Sequence, residues 1–212
     1  MDLAGSLKNA IDTSHRQIES TAYARALFSG SINPRDYARS LAQFLQIHES
    51  LEDQLAKHPG IACYDPASME RSTSLRRDIA WWGGFADEAP LSATSSLIAT
   101  IERWGLDQPT ALIGALYVFE GSRMGSMVLA GSLSRGFGVP VQPGTGLDYH
   151  VDGIATRPLT WRGFRETLNA LELTQEEREQ ILDAAVTTMT RLCELYSELP
   201  VSEVHQELGV PA

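Results

Sequence analysis

Cysteine is scarce in this chain, with two in 212 residues, and basic residues are outnumbered, 17 lysines and arginines against 27 aspartates and glutamates. Cys63 and Cys193 lie far apart and form no CxxC pair, so they read as buried free thiols of a reducing compartment rather than as a disulfide. The net charge of −10 leaves no basic face to displace counterions from phosphates. That argues against a nucleic-acid partner and, for the same reason, against an anionic membrane surface. Long apolar runs are missing too. Nowhere do about 18 apolar residues follow one another, and the opening "MDLAGSLKNAID" lacks the basic-then-apolar order of a signal peptide. No internal repeat, low-complexity tract or composition break marks a linker. The expectation is a soluble, cytoplasmic chain forming one domain over residues 1–212, its last ~12 residues a flexible tail.

What is present is helical periodicity. Leu7, Ala10, Ile11, Ile18 and Ala22 recur close to every 3.6 residues, which predicts one amphipathic helix over residues 7–28. Asn33 as N-cap with Pro34 at the first helical position predicts a second over 34–57, closed by "HPG". Further helices are predicted over 66–82 and 92–104, and a long apolar one over 110–135. From "GFGVPVQPGTG" to Pro158 the chain reads as irregular, without the alternation of a sheet. Two helices close it, over 160–171 and 174–199, the second opened by Thr174 and Glu177 as a capping box. The fold class expected is all-α, a single helical bundle.

The apolar helix over 110–135 contains "EGSRMGSMVLAG" (residues 120–131), and each interior glycine there costs about 0.5–1 kcal/mol relative to alanine. Something must come close to that backbone. Gly121, Ser122, Gly125 and Ser126 fall at i, i+1, i+4 and i+5, one narrow stripe almost bare of side chains. Close helix–helix packing would explain the stripe, and so would a flat ligand lying on exposed backbone. On the first helix, His15 lies one turn after Ile11 and is expected to project beside the apolar stripe, towards the core. By itself it reads as a hydrogen-bonded core histidine. Two spacings favour more: Glu19 at i+4 is placed to accept a hydrogen bond from the imidazole, and Lys8 at i−7 puts a cation on the same face. A lone imidazole on one helix facing bare backbone on another is what an axially ligated porphyrin needs.

Other patterns carry less. The carboxylates form no paired E-x-x-H motifs, and "HES" at His48 lacks partners on other helices. "GTGLDYH" is not a phosphate loop, Trp81, Trp82 and Trp104 read as core aromatics, and no nucleophile triad has a recognisable context.

"LKNAIDTSHRQIES" resembles the first helix of the heme oxygenases, and "LYVFEGSRMGSMVLAGSL" resembles their glycine-rich distal helix, particularly in the bacterial forms associated with phytochrome chromophore synthesis. The likeness continues through "FSGSINPRDYARSLAQFLQIHESLEDQL", "RRDIAWWGG" and "FRETLNALELTQEEREQIL". It implies that His15 is the proximal iron ligand of heme b, with Glu19 supporting it. Lys8 and Arg165 would hold the heme propionates, and Gly121 and Gly125 would let the distal backbone approach heme-bound oxygen. Ser122 stands where many members carry an aspartate, Ser126 replaces a further glycine, and His48 aligns near a distal aromatic. The hydrophobic C-terminal anchor of animal members is not expected here. The resemblance further implies that heme is both cofactor and substrate, cleaved with O2 and electrons from an external reductase or ferredoxin to biliverdin, carbon monoxide and ferrous iron, with a phytochrome pathway as one setting. A heme carrier of the same fold, or a non-heme helical enzyme of thiaminase-like or di-iron type, is the alternative.

Overall fold

The computed structural model describes residues 2–85 and 88–202, all helix and connection among the described residues. The helices are α1 Leu3–Glu19, α2 Ala22–Ser29, α3 Pro34–Lys57, α4 Pro66–Met69, α5 Ser72–Trp81, α6 Ser92–Asp107, α7 Leu112–Ser122, α8 Ser126–Phe137, α9 Asp148–Val151, α10 Arg157–Ala170 and α11 Gln175–Glu198. The tail expected at the C-terminus lies, from residue 203 on, outside the described residues.

Capping chemistry sets several boundaries. Asn33 accepts a hydrogen bond from the Arg35 amide at 2.8 Å with Pro34 behind it, so α3 begins and ends where the sequence places it. Thr174 and Glu177 exchange hydrogen bonds at the start of α11 as a complete capping box. The single helix expected over 7–28 is two. The Ser20 and Thr21 hydroxyls donate to the carbonyls of Gln17 and Ile18, ending α1, and Thr21 Oγ1 then accepts from the Ala24 amide to start α2. Likewise 66–82 splits at Glu70, which is extended. Glu52 on α3 accepts from the Arg71 and Ser72 amides at 2.6 and 3.2 Å, so a long-range carboxylate restarts the helix as α5. The segment read as irregular contains α9, because Asp78 of α5, itself fully buried, accepts the amides of Asp148 and Tyr149 at 2.7 and 2.8 Å.

Two long helices organise the packing. α11 lies against α7, α1 and α6, and α3 against α6, α5 and α7. α7 therefore sits between them: every residue from Leu112 to Glu120 is buried, as expected of a helix apolar all round. Burying each of its large apolar side chains is worth about 1.5–3 kcal/mol. Beyond α7, α8 continues over α2 and α9, and α10 closes on α1.

Candidate functional site

α1 and α7 share α11 as their floor and meet at one end, where Tyr117 donates to the Ala4 carbonyl at 3.3 Å. Asn169 of α10 accepts the Ala4 amide at 2.9 Å, so three helices converge on the first turn of α1. Beyond that turn α1 changes character. Leu3, Ala4 and Leu7 are buried, but from Lys8 to Glu19 no residue is; only Ile11, Ser14 and Ile18 are partly covered. His15 stands in this stretch with its side chain 58% exposed and Nδ1 3.5 Å from Glu19 Oε1. The expectation that the imidazole projects towards the core is thus corrected: its side chain is mostly exposed. Ala10, in the expected apolar stripe, is exposed as well, and beyond Leu7 the stripe packs on the core only through the partly buried Ile11 and Ile18.

The glycine-rich stretch is not one helix but two, joined by a tightened turn. Met124, Gly125 and Ser126 donate to the carbonyls of Gly121, Ser122 and Arg123 at 3.1, 3.1 and 3.2 Å, each three residues back, and Val128 donates likewise to Gly125 at 3.1 Å. Such a turn eclipses i and i+3 side chains. Ser122, Gly125 and Val128 accordingly face out in line, while Arg123 and Ser126 face in, each 6% exposed. Ser126 therefore leaves the bare stripe, which consists of Gly121, Ser122 and Gly125. The Ser122 hydroxyl donates to the Phe119 carbonyl at 2.7 Å, keeping its lone pairs free to accept.

Glycine here answers no backbone need, since Gly125 has right-handed helical dihedrals (φ −78°, ψ −19°) and Gly121 is not among the positive-φ glycines. Nor does packing explain Gly125. A Cβ built on it meets only its own Ser122 carbonyl, at 3.6 Å, and one built on Gly121 meets Trp161 at an ordinary 3.4 Å. Tight glycine contacts occur elsewhere in the chain, among them Gly30 with Ser132, Gly114 with Ile181 and Gly136 with Gly30, where a Cβ would strike a carbonyl oxygen. Around the open glycine, Met124, Met127 and Val128 are 41%, 53% and 63% exposed, an apolar rim of the kind a flat ligand covers.

Under the same turn lies a polar cluster that the sequence pattern did not reveal. Arg123 pairs with Glu120 at 2.6 Å, and Arg157 donates to the carbonyls of Arg123, His150 and Asp152, each at 2.9 Å. Arg71 and Arg123 both donate to the Ser68 carbonyl. All four charged side chains are buried. Burial raises the Glu120 carboxyl against the pull of the three guanidiniums, and it lowers Arg157 to about 10 with help from Arg123 and Arg71. Glu120 and Arg123 bracket Gly121 and Ser122 at i and i+3, a spacing that offered the one signal for this pair. His48 borders the cluster: it packs on Phe119, shares a 3.1 Å hydrogen bond with Tyr149, and burial with the nearby Arg71 and Arg123 pushes its pKa down to about 3. His48 is therefore neutral.

Lys8 and Arg165 are both exposed, Lys8 one turn beyond Ala4 and Arg165 one turn before Asn169, so the Ala4–Asn169 contact brings their helices together. A separate cavity of about 290 Å³, lined by Trp104, Gln108, Glu176, Glu179 and Asp183, opens between α6 and α11 and shares no residue with the glycine turn. Its acidic lining suits neither a propionate nor a porphyrin face. No helix among the described residues is long and apolar enough to cross a membrane.

The heme oxygenase family model matches residues 1–198. Heme oxygenase 1 of Bos taurus is 26% identical over 207 residues, covering 93% of this chain and 71% of that protein, and the heme oxygenase of Porphyra purpurea is 23% identical over 209 residues, covering 95% and 88%. Among solved structures, heme oxygenase from Leptospira interrogans superposes with a TM-score of 0.86 at 25% identity, over 94% of this chain and 100% of that one. Heme oxygenase-1 from Synechocystis sp. PCC 6803 in complex with heme shares the fold, with a TM-score of 0.84 at 19% identity over 94% and 92%. An exposed imidazole on α1, an open glycine turn rimmed by apolar side chains and matches spanning nearly the whole chain lead to one conclusion: the chain belongs to the heme oxygenase family and is a heme-degrading oxidoreductase.

Proposed function

We propose that heme b lies between α1 and the α7–α8 turn, with His15 as axial ligand to its iron and Gly121, Ser122 and Gly125 as the distal wall. The observation that carries this reading is the open space at Gly125, which neither backbone conformation nor packing within the chain explains. The donor set fits the group. One imidazole, oriented through Nδ1 by Glu19, leaves Nε2 for iron, and a neutral nitrogen ligand suits oxygenation of the ring better than a thiolate that drives O–O cleavage. Met124, Met127 and Val128 would cover the porphyrin face and exclude water. Lys8 and Arg165 would hold the propionates by charge-assisted hydrogen bonds.

Bound heme supplies the iron that activates O2 and the ring that is opened. The chain's own part is to hold iron from one side, to shape the space on the other, and to accept hydrogen bonds at Ser122 from water that delivers protons. Electrons come from an external reductase or ferredoxin. The products are biliverdin, carbon monoxide and ferrous iron, made in the cytoplasm, with a phytochrome chromophore as one destination for the biliverdin. Hemin titration of wild type and His15→Ala tests the ligand assignment. Wild type should give a saturable Soret band at one equivalent. His15→Ala should lose the native spectrum and regain part of it with added imidazole, whereas an unchanged spectrum and turnover would remove His15 from its role.

A further inference from the structure

The buried cluster beneath the glycine turn does more than neutralise charge. Arg157 ties together two places that have no backbone link of their own: the Arg123 carbonyl, inside the break between α7 and α8, and the His150 and Asp152 carbonyls at the end of α9. α9 is in turn fastened to α5 through Asp78. Arg123, whose carbonyl is thus held, anchors its own side chain to Glu120 one turn back, to Ser68 and to Asp152 at 2.6, 3.4 and 3.5 Å. The turn that presents Ser122 and Gly125 is therefore gripped from below at both the main chain and the side chain of one residue. Guanidinium suits the task, since its planar fork serves three carbonyls at once and remains charged when buried.

We propose that Arg157, together with the Arg123–Glu120 pair, is the positioning group of the distal wall: it fixes the tightened turn at Arg123–Ser126 and so sets how the wall of Ser122 and Gly125 addresses bound heme. This rests on the reading of that turn as the distal wall. Without Arg157 the Arg123 carbonyl keeps only the Ser126 amide at 3.2 Å, and the turn is free to relax towards a continuous helix. That relaxation would rotate Ser126 and Gly125 relative to α7, because a continuous helix advances 100° per residue and the tightened turn 120°.

The test uses Arg157→Met and Arg157→Lys, the latter keeping the charge but serving fewer carbonyls. In the heme-free protein, hydrogen exchange of the 121–129 amides should quicken about tenfold or more in Arg157→Met relative to those of α11, with Arg157→Lys between it and wild type. In the hemin complex, the ferric spectrum should show an altered spin-state ratio, and chromatography of the product should show a second biliverdin isomer at about a tenth of the total or more. Unchanged exchange in 121–129 would overturn the proposal. So would faster exchange with the wild-type spectrum and a single isomer, which would make Arg157 a structural residue only. Should Arg157→Met fail to fold, Arg157→Lys and Glu120→Gln carry the same readings. A loosened turn in a protein whose Gly125→Leu variant still makes biliverdin at the wild-type rate would refute the distal-wall reading itself, and with it the role of Arg157 towards heme.

Discussion

Gly114 and Ile181 meet so closely that a Cβ on Gly114 would lie 2.2 Å from the Ile181 carbonyl oxygen, whereas eleven residues on, a Cβ on Gly125 would meet nothing beyond its own turn. Both glycines lie in the same apolar stretch, yet only the first is demanded by packing of α7 on α11. Alanine at the two positions should therefore act in opposite directions. Gly114→Ala should destabilise the protein by about 1–3 kcal/mol through overpacking against backbone. Gly125→Ala should leave the heme-free protein as stable or firmer by about 0.5–1 kcal/mol, while Gly125→Leu should bind ferric hemin and fail in oxygen binding and turnover. Thermal unfolding with and without hemin, beside biliverdin formation, checks the pair. Equal destabilisation at both sites would return Gly125 to an ordinary packing role.

Two buried histidines make the fold acid-sensitive. Burial lowers His48 to about 3 and His150 to about 4, with Arg71 and Arg123 adding to the first and Arg157 to the second. Because the unfolded chain takes up these protons near pH 6.5 and the folded chain does not, stability is full above about 6.5 and falls as pH drops towards these folded values. At pH 5 each histidine should account for about 2 kcal/mol of the loss. His48→Gln should show a shallower decline in Tm between pH 7.5 and 5 than wild type, and an equal decline would contradict the buried neutral imidazole.

Glu19 is half exposed, so its 3.5 Å contact with His15 contributes little to folding. Its effect should be on the imidazole as a ligand. Glu19→Ala is expected to keep the Tm of wild type and to weaken hemin affinity about tenfold or more. A spectroscopic titration showing wild-type affinity would make the contact incidental.

Lys8 and Arg165, on helices joined through Ala4 and Asn169, are placed to choose one in-plane seating of heme over another. Each charge-assisted contact is worth about 1.5–3 kcal/mol, enough for roughly tenfold selection or more. The Lys8→Ala, Arg165→Ala double variant should alter the ratio of biliverdin isomers more than the rate. A single isomer identical to that of wild type, at full hemin occupancy, would show both cations to be ordinary solvated charges.

Much of this protein was decided locally. Asn33–Pro34 and the Thr174–Glu177 box set the starts of α3 and α11 within a few residues of chain, because caps satisfy amides from one turn away. The family likeness, and with it His15 and the glycine turn as the place to look, was legible in short motifs. Tertiary structure decided the rest. Helices expected as single elements are divided: Glu52 reaches Arg71 across 19 residues, and Arg157 reaches the Arg123 carbonyl across 34. It also separated glycines that the sequence makes alike, turned Ser126 inward, and left His15 on an exposed face. Periodicity states which residues can share a face of a helix, but what covers that face, and which buried carbonyl a distant guanidinium will hold, depends on where the other helices lie.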